Sequence, residues 1–231
     1  ENILVLEQDG LPRLIDWGGA LIDNGKLNEY DGRPMQFNQP LSLLAVHPMF
    51  IVEYNKFLRE KKIKNLSSQK DSEMVRLGFI PQTYAKFIKT DVGHHEFMID
   101  MYNRILFDDK LDKDEATVQF VLLMGDYIMP ILEMYTKNGK FNVKDYFFNI
   151  FLKISDIWGF ICCYDKLHSV LVNSDMDSEN KKFLMDKIKE LFKELLSSPT
   201  KLLDVDNLVN IIESMHIDRV NNRYSNKTMK N

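Results

Sequence analysis

Cysteine is nearly absent from this chain. The 231 residues hold two, Cys162 and Cys163, side by side. Neighbours in a helix point about 100° apart and do not readily pair, so no disulfide framework is available. The two read as reduced thiols in or near the core of a cytosolic protein. The N-terminal stretch has no basic segment leading into an apolar one, so no signal peptide is expected. No apolar run approaches the length that crosses a bilayer, and no membrane partner is expected. Excess positive charge is also missing. The formal net charge is −4, which removes the general electrostatic reason to expect nucleic acid. The His-Glu-x-x-His spacing of a zinc helix is missing too. Gly93-His94-His95-Glu96 offers ligand types, but adjacent histidines in a helix diverge, and the cluster reads as the polar start of a helix.

What is present is 45% hydrophobic, enough to bury a core in one or two domains. Most of it repeats at three- and four-residue spacing, so the fold class is mainly α. Residues 42–63 carry Phe50, Ile51, Tyr54, Phe57 and Leu58 on one face, with Pro48 at the start. Residues 64–73 are polar and read as a loop, and Pro81 limits residues 74–92 to partial helix. A stripe from Phe97 to Leu106 predicts a helix. Asp112–Tyr135 predicts a longer one, with Val118, Val121, Leu122, Gly125, Ile128, Ile131, Leu132 and Tyr135 inward and a kink or break at Pro130. Asn138-Gly139 ends it in a turn. Met124, Met129 and Met134 read as core filler. A helix starts at Asn142 or Asp145, and Ser155 reads as the N-cap of another that reaches Val172. Residues 177–196 form an amphipathic helix with Phe183, Leu184, Ile188, Leu191, Phe192 and Leu195 inward, broken by Ser197-Ser198-Pro199. A last helix covers Leu202–Met215, and the Asn/Lys/Arg-rich tail Val220–Asn231 frays.

The opening stretch, ENILVLEQDGLPRLIDWG, differs in kind. Two short apolar runs, Ile3–Leu6 and Leu11–Ile15, flank a polar segment that contains Asp9-Gly10, a tight-turn signal. The prediction is a β-hairpin with Asn2 and Asp16 at its open end. An amide oxygen and a carboxylate brought together there are hard ligands of the kind Mg²⁺ takes alongside phosphate and water.

This pattern resembles the end of a protein-kinase catalytic loop, its two following strands and the Asp-Phe-Gly motif, with Trp17 in place of Phe. The resemblance implies that Asn2 and Asp16 are the Mg²⁺ ligands around ATP, and that Gly18 frees the backbone where the activation segment begins. Residues 19–41 then read as a loop. Their end, Arg33-Pro34-Met35-Gln36-Phe37-Asn38-Gln39-Pro40, is similar to the segment that receives the peptide substrate, in the form found in kinase-like proteins of large DNA viruses. Pro40 matches the Pro of the family's Ala-Pro-Glu, whose Glu is replaced by Leu41. The loop has no Ser or Thr between Gly18 and Pro40, so phosphorylation there is not expected; Tyr30 reads as a loop aromatic. Further on, Asp156-Ile157-Trp158 resembles the start of the Asp-x-Trp-x-x-Gly helix at the heart of the large lobe, although Gly159 comes too early for its spacing. There Asp156 would be a buried carboxylate bonded to the catalytic-loop backbone, and Trp158 a structural core residue.

The resemblance implies a kinase-like large lobe with an N-terminal hairpin and a helical insertion. It divides the chain into 1–41 (catalytic-loop end, metal motif and activation segment), an insertion at 42–141, and 142–231 (central and C-terminal helices). It implies ATP and Mg²⁺ as cofactors, a protein Ser/Thr hydroxyl as substrate, and a regulatory partner for the insertion. The location it implies is cytoplasmic: host cytoplasm or virion if the source is a virus. The catalytic base expected of the family would lie upstream of Glu1, so this chain alone is expected to be inactive. The alternative expectation is a pseudokinase or helical interaction module without catalysis.

Overall fold

A computed structural model describes residues 3–5, 12–14, 35–90 and 93–215. The chain divides into two compact units, Glu1–Asp31 and Gly32–Asn231. The expected boundaries at 41/42 and 141/142 both fall inside the second unit.

In the first unit, β1 (Ile3–Val5) pairs antiparallel with β2 (Pro12–Leu14), in the register Ile3 with Leu14, Leu4 with Arg13 and Val5 with Pro12. The two strands belong to the two apolar runs that predict the hairpin.

The second unit is mainly helical, as expected. Its order is α1 (Leu43–Val46), α2 (Pro48–Glu60), α3 (Gln69–Glu73), a π-helical stretch (Met74–Phe79), α4 (Ile80–Thr90), α5 (His95–Phe107) and α6 (Lys113–Tyr135). A hairpin of β3 (Thr136–Lys137) and β4 (Lys140–Phe141) follows, then α7 (Val143–Tyr146), a second π stretch (Phe147–Phe151), α8 (Leu152–Cys162), α9 (Tyr164–Val172), α10 (Ser178–Ser197) and α11 (Val205–Ser214).

Local chemistry accounts for most boundaries. Pro48 occupies the first turn of α2, where a missing N–H costs nothing. Asp112 caps α6 by accepting from the N–H groups of Asp114 and Glu115 (3.0 and 2.9 Å). Asn138 and Gly139 both have positive φ (53° and 73°), as the two-residue turn between β3 and β4 requires. One side of Gly139 also faces the Ile63 carbonyl, 3.2 Å from where a Cβ would stand.

Four expectations are corrected. The polar stretch 64–73 is not all loop. Ser68 accepts from Asp71 N–H (3.1 Å) and starts α3, which continues through the π stretch into α4. Pro81 lies just past that π stretch, where the widened turn relieves the clash its ring would make with a carbonyl four residues back. Ser155 is not an N-cap. It lies inside α8 and donates to the Phe151 carbonyl one turn back (2.7 Å). The helix α6 runs on through Pro130, so of the kink or break expected there the break is excluded. On the predicted inward faces, Val118 and Phe183 are exposed, and of the three methionines only Met124 and Met129 are buried.

Two helical stretches, Lys113–Tyr135 and Val143–Val172, are long and apolar enough to cross a membrane, contrary to the sequence expectation. Both contribute heavily to the core. Tyr127 and Trp158, one from each, meet edge to face with centroids 5.6 Å apart. Much of the remaining core is aromatic: Phe50, Tyr54 and Phe79 form one cluster, with Phe141 against Tyr54.

Candidate functional site

The predicted metal ligands Asn2 and Asp16, together with Gly18, Tyr30 and the tail from Val220, lie outside the described residues. The donor chemistry of the pair, one amide oxygen and one carboxylate, fits Mg²⁺.

Asp156 and Trp158 are described. Trp158 is fully buried. Asp156 is exposed and accepts no hydrogen bond from any described residue, contrary to the buried role expected of it. Helix geometry explains the difference. Residues two apart on a helix point about 200° apart, so burying Trp158 turns Asp156 outward.

The end of the predicted activation segment is described from Met35. It is not an open loop. Met35, Pro40, Leu41 and Ser42 are buried, and the segment lies against α8 and the start of α5. The Met35 carbonyl accepts from His94 N–H (2.8 Å), Phe37 meets the His94 and Phe97 rings, and the Phe37 carbonyl accepts from the Cys162 thiol (3.2 Å). Ser42 accepts from Tyr146 Oη (2.7 Å), a buried bond that fixes the far end of the segment. Burial pushes the Cys162 thiol pKa up, so it stays protonated and serves as a donor. The Cys163 thiol, exposed just past the end of α8, donates to the Gly159 carbonyl one turn back (3.4 Å).

Gly159 makes the close approach possible. A Cβ there would stand 3.1 Å from the Asn38 carbonyl. Gly159→Ala should therefore change stability by no more than about 1 kcal/mol, because the gain in helix propensity offsets the crowding. Gly159→Val should cost about 2 kcal/mol or more, since its branches overpack the contact. Urea unfolding of both variants checks the pair. Equal stabilities would contradict the docking.

Behind the segment, α8 and α11 enclose an open apolar groove of about 290 Å³. Ile157, Phe160 and Ile161 line it from one side and Val205, Val209 and Ile212 from the other, with Asp156 also in the lining. Phe160, Val205 and Val209 are about half exposed there.

The histidine cluster separates as its spacing implies. His95 is buried, with Nδ1 3.3 Å from Tyr84 Oη, whereas His94 points out beside Phe37. Among the described residues no group of three or more metal-ligating side chains converges.

Sequence reasoning missed a polar cluster on α5 and α9. Asp165, almost fully buried, accepts from Arg104 (2.8 Å), and His168 lies buried one turn further along α9. The only prior signal was the polar pair inside an apolar stretch.

Comparison with family models, curated proteins and solved structures finds no match to this chain.

Proposed function

We propose that this chain is part of a protein-kinase-like large lobe that, within the intact protein, transfers the γ-phosphoryl group of ATP to a Ser/Thr hydroxyl of a protein. The observation that carries the reading is the antiparallel pairing of Ile3–Val5 with Pro12–Leu14. That hairpin is what the likeness requires between Asn2 and the Asp16-Trp17-Gly18 motif. A second support is spatial. The described end of one segment likened to the family on sequence, residues 35–40, touches the helix that carries the other, 156–159, through Asn38 against Gly159 and Phe37 against Cys162, across more than a hundred residues.

On this reading Asn2 offers its amide oxygen and Asp16 its carboxylate to Mg²⁺. Held there, Mg²⁺ would supply positive charge against the phosphates of ATP. The segment ending at Pro40, fixed by the Cys162 and Tyr146 bonds, gives the peptide substrate a rigid floor, which lowers the entropic cost of orienting it.

The test is Asp16→Asn in the full reading frame that contains this chain, assayed for Mg²⁺-dependent transfer from labelled ATP to a generic protein substrate. Loss of at least about 100-fold is expected, the scale for removing a charged group that stabilises the transferring phosphoryl. Unchanged transfer rules out the metal role. The second reading, a helical interaction module without catalysis, is favoured by the groove between α8 and α11. It predicts no transfer in either form.

A further inference from the structure

The helix α9 is built inside out. Its buried residues are Asp165, His168 and Leu171, while Leu167, Val170 and Val172 face outward, Val170 at 65% exposure. A surface helix ordinarily shows its partners an apolar stripe. Polar contacts do much of the holding here instead. Arg104 of α5 pairs with Asp165, and Lys181 of α10 donates to the carbonyls of Val172 and Ser174 at the end of α9 (3.2 and 2.8 Å). Behind the pair, Asp108 accepts from Lys110 and from Lys189 of α10 (3.0 and 3.1 Å). Two atoms of the cluster, Arg104 Nε and His168 Nδ1, are buried without a hydrogen-bond partner.

We propose that α9 is a proton-released helix: the Arg104–Asp165 pair holds it to α5 beside the buried His168 ring, and protonation of that ring, which has no free counter-charge or water to receive it, lets the helix go. His168 is 4% exposed, so a charge on its ring has little water to solvate it. The charged groups that act on it are Arg104 from α5, Asp108 just past the end of α5, and Asp165 from α9 itself. Lys189 of α10 reaches the cluster through Asp108, and α8 contributes the buried Cys162 thiol. Asp165 already has its partner in Arg104, so a second cation beside it is poorly compensated. Burial holds His168 below its ordinary value, with Asp165 opposing, Arg104 reinforcing and Asp108 opposing the shift. The unfolded or released helix therefore takes the proton first. The stabilisation is fully present above about pH 6.5 and is lost as pH falls below it.

Hydrogen exchange read by mass spectrometry tests this on the full chain at pH 7.5 and 5.5, with rates corrected for intrinsic chemistry. Protection across residues 164–172 is expected to fall several-fold, up to a ceiling of about tenfold for one imidazole of ordinary pKa, while α2 and α6 keep theirs. His168→Asn, which cannot charge, should abolish the difference. An equal fall in every helix, or a fall that survives His168→Asn, overturns the proposal. If that variant does not fold, carbon-13-labelled histidine in the natural chain gives the same decision. The His168 midpoint should lie below 6.5 and coincide with shifts of the α9 amides. A midpoint at or above 6.5, or silent α9 amides, overturns it.

Discussion

Trp158→Ala is expected to destabilise the protein by about 4 kcal/mol, the largest single effect foreseen for this chain. The side chain is fully buried, so truncation removes its transfer energy and leaves a cavity that helices on both sides cannot collapse to fill. The edge-to-face contact with Tyr127 goes as well, worth about 1 kcal/mol beyond the area it buries. Trp158→Phe separates these contributions. The indole N–H has no close hydrogen-bond partner beyond the weak sulfur acceptor of Cys162, so removing it costs little while most of the ring volume stays. A cost near 1 kcal/mol is expected for Phe, several-fold below that for Ala. Urea denaturation followed by helical circular dichroism measures both. If Trp158→Phe costs as much as Trp158→Ala, an unrecognised partner for the indole nitrogen carries the site.

Much of this helical unit is visible in the residue pattern. The apolar spacing of α2, α5, α6 and α10 and the turn at Asn138-Gly139 follow from short-range chemistry, which a sequence displays directly. What the pattern hides depends on partners far along the chain. The Ser155 hydroxyl offers itself equally to a cap or to the preceding turn, and only the continuity of the apolar face from Phe147 to Ile161 decides for the turn. The inverted faces of α9 have no local signature, because Asp165 can be buried only where Arg104, 61 residues earlier, reaches it. Gly159 looks like a misplaced motif residue until the Asn38 carbonyl is seen beside it. For the proposed metal site, the residue types and the strands between them are legible, and Asp156 is not: its match to a motif said nothing about which way α8 would turn once Trp158 was buried.

Arg104→Met is expected to cost about 3 kcal/mol, the second largest effect, because it strands a carboxylate that is almost wholly out of water. Arg104 itself is 28% exposed, so some water can follow the lost guanidinium, which puts the figure at the lower end for a broken buried pair. Combining Arg104→Met with Asp165→Leu removes the stranded charge and fills its place with hydrocarbon. The double variant should recover most of the loss and could exceed the natural protein in stability, because neither ion then has to be desolvated. Urea midpoints of the two single variants and the double variant form a complete cycle. Additive losses would mean that Arg104 and Asp165 act separately, and that α9 is held by its apolar contacts after all.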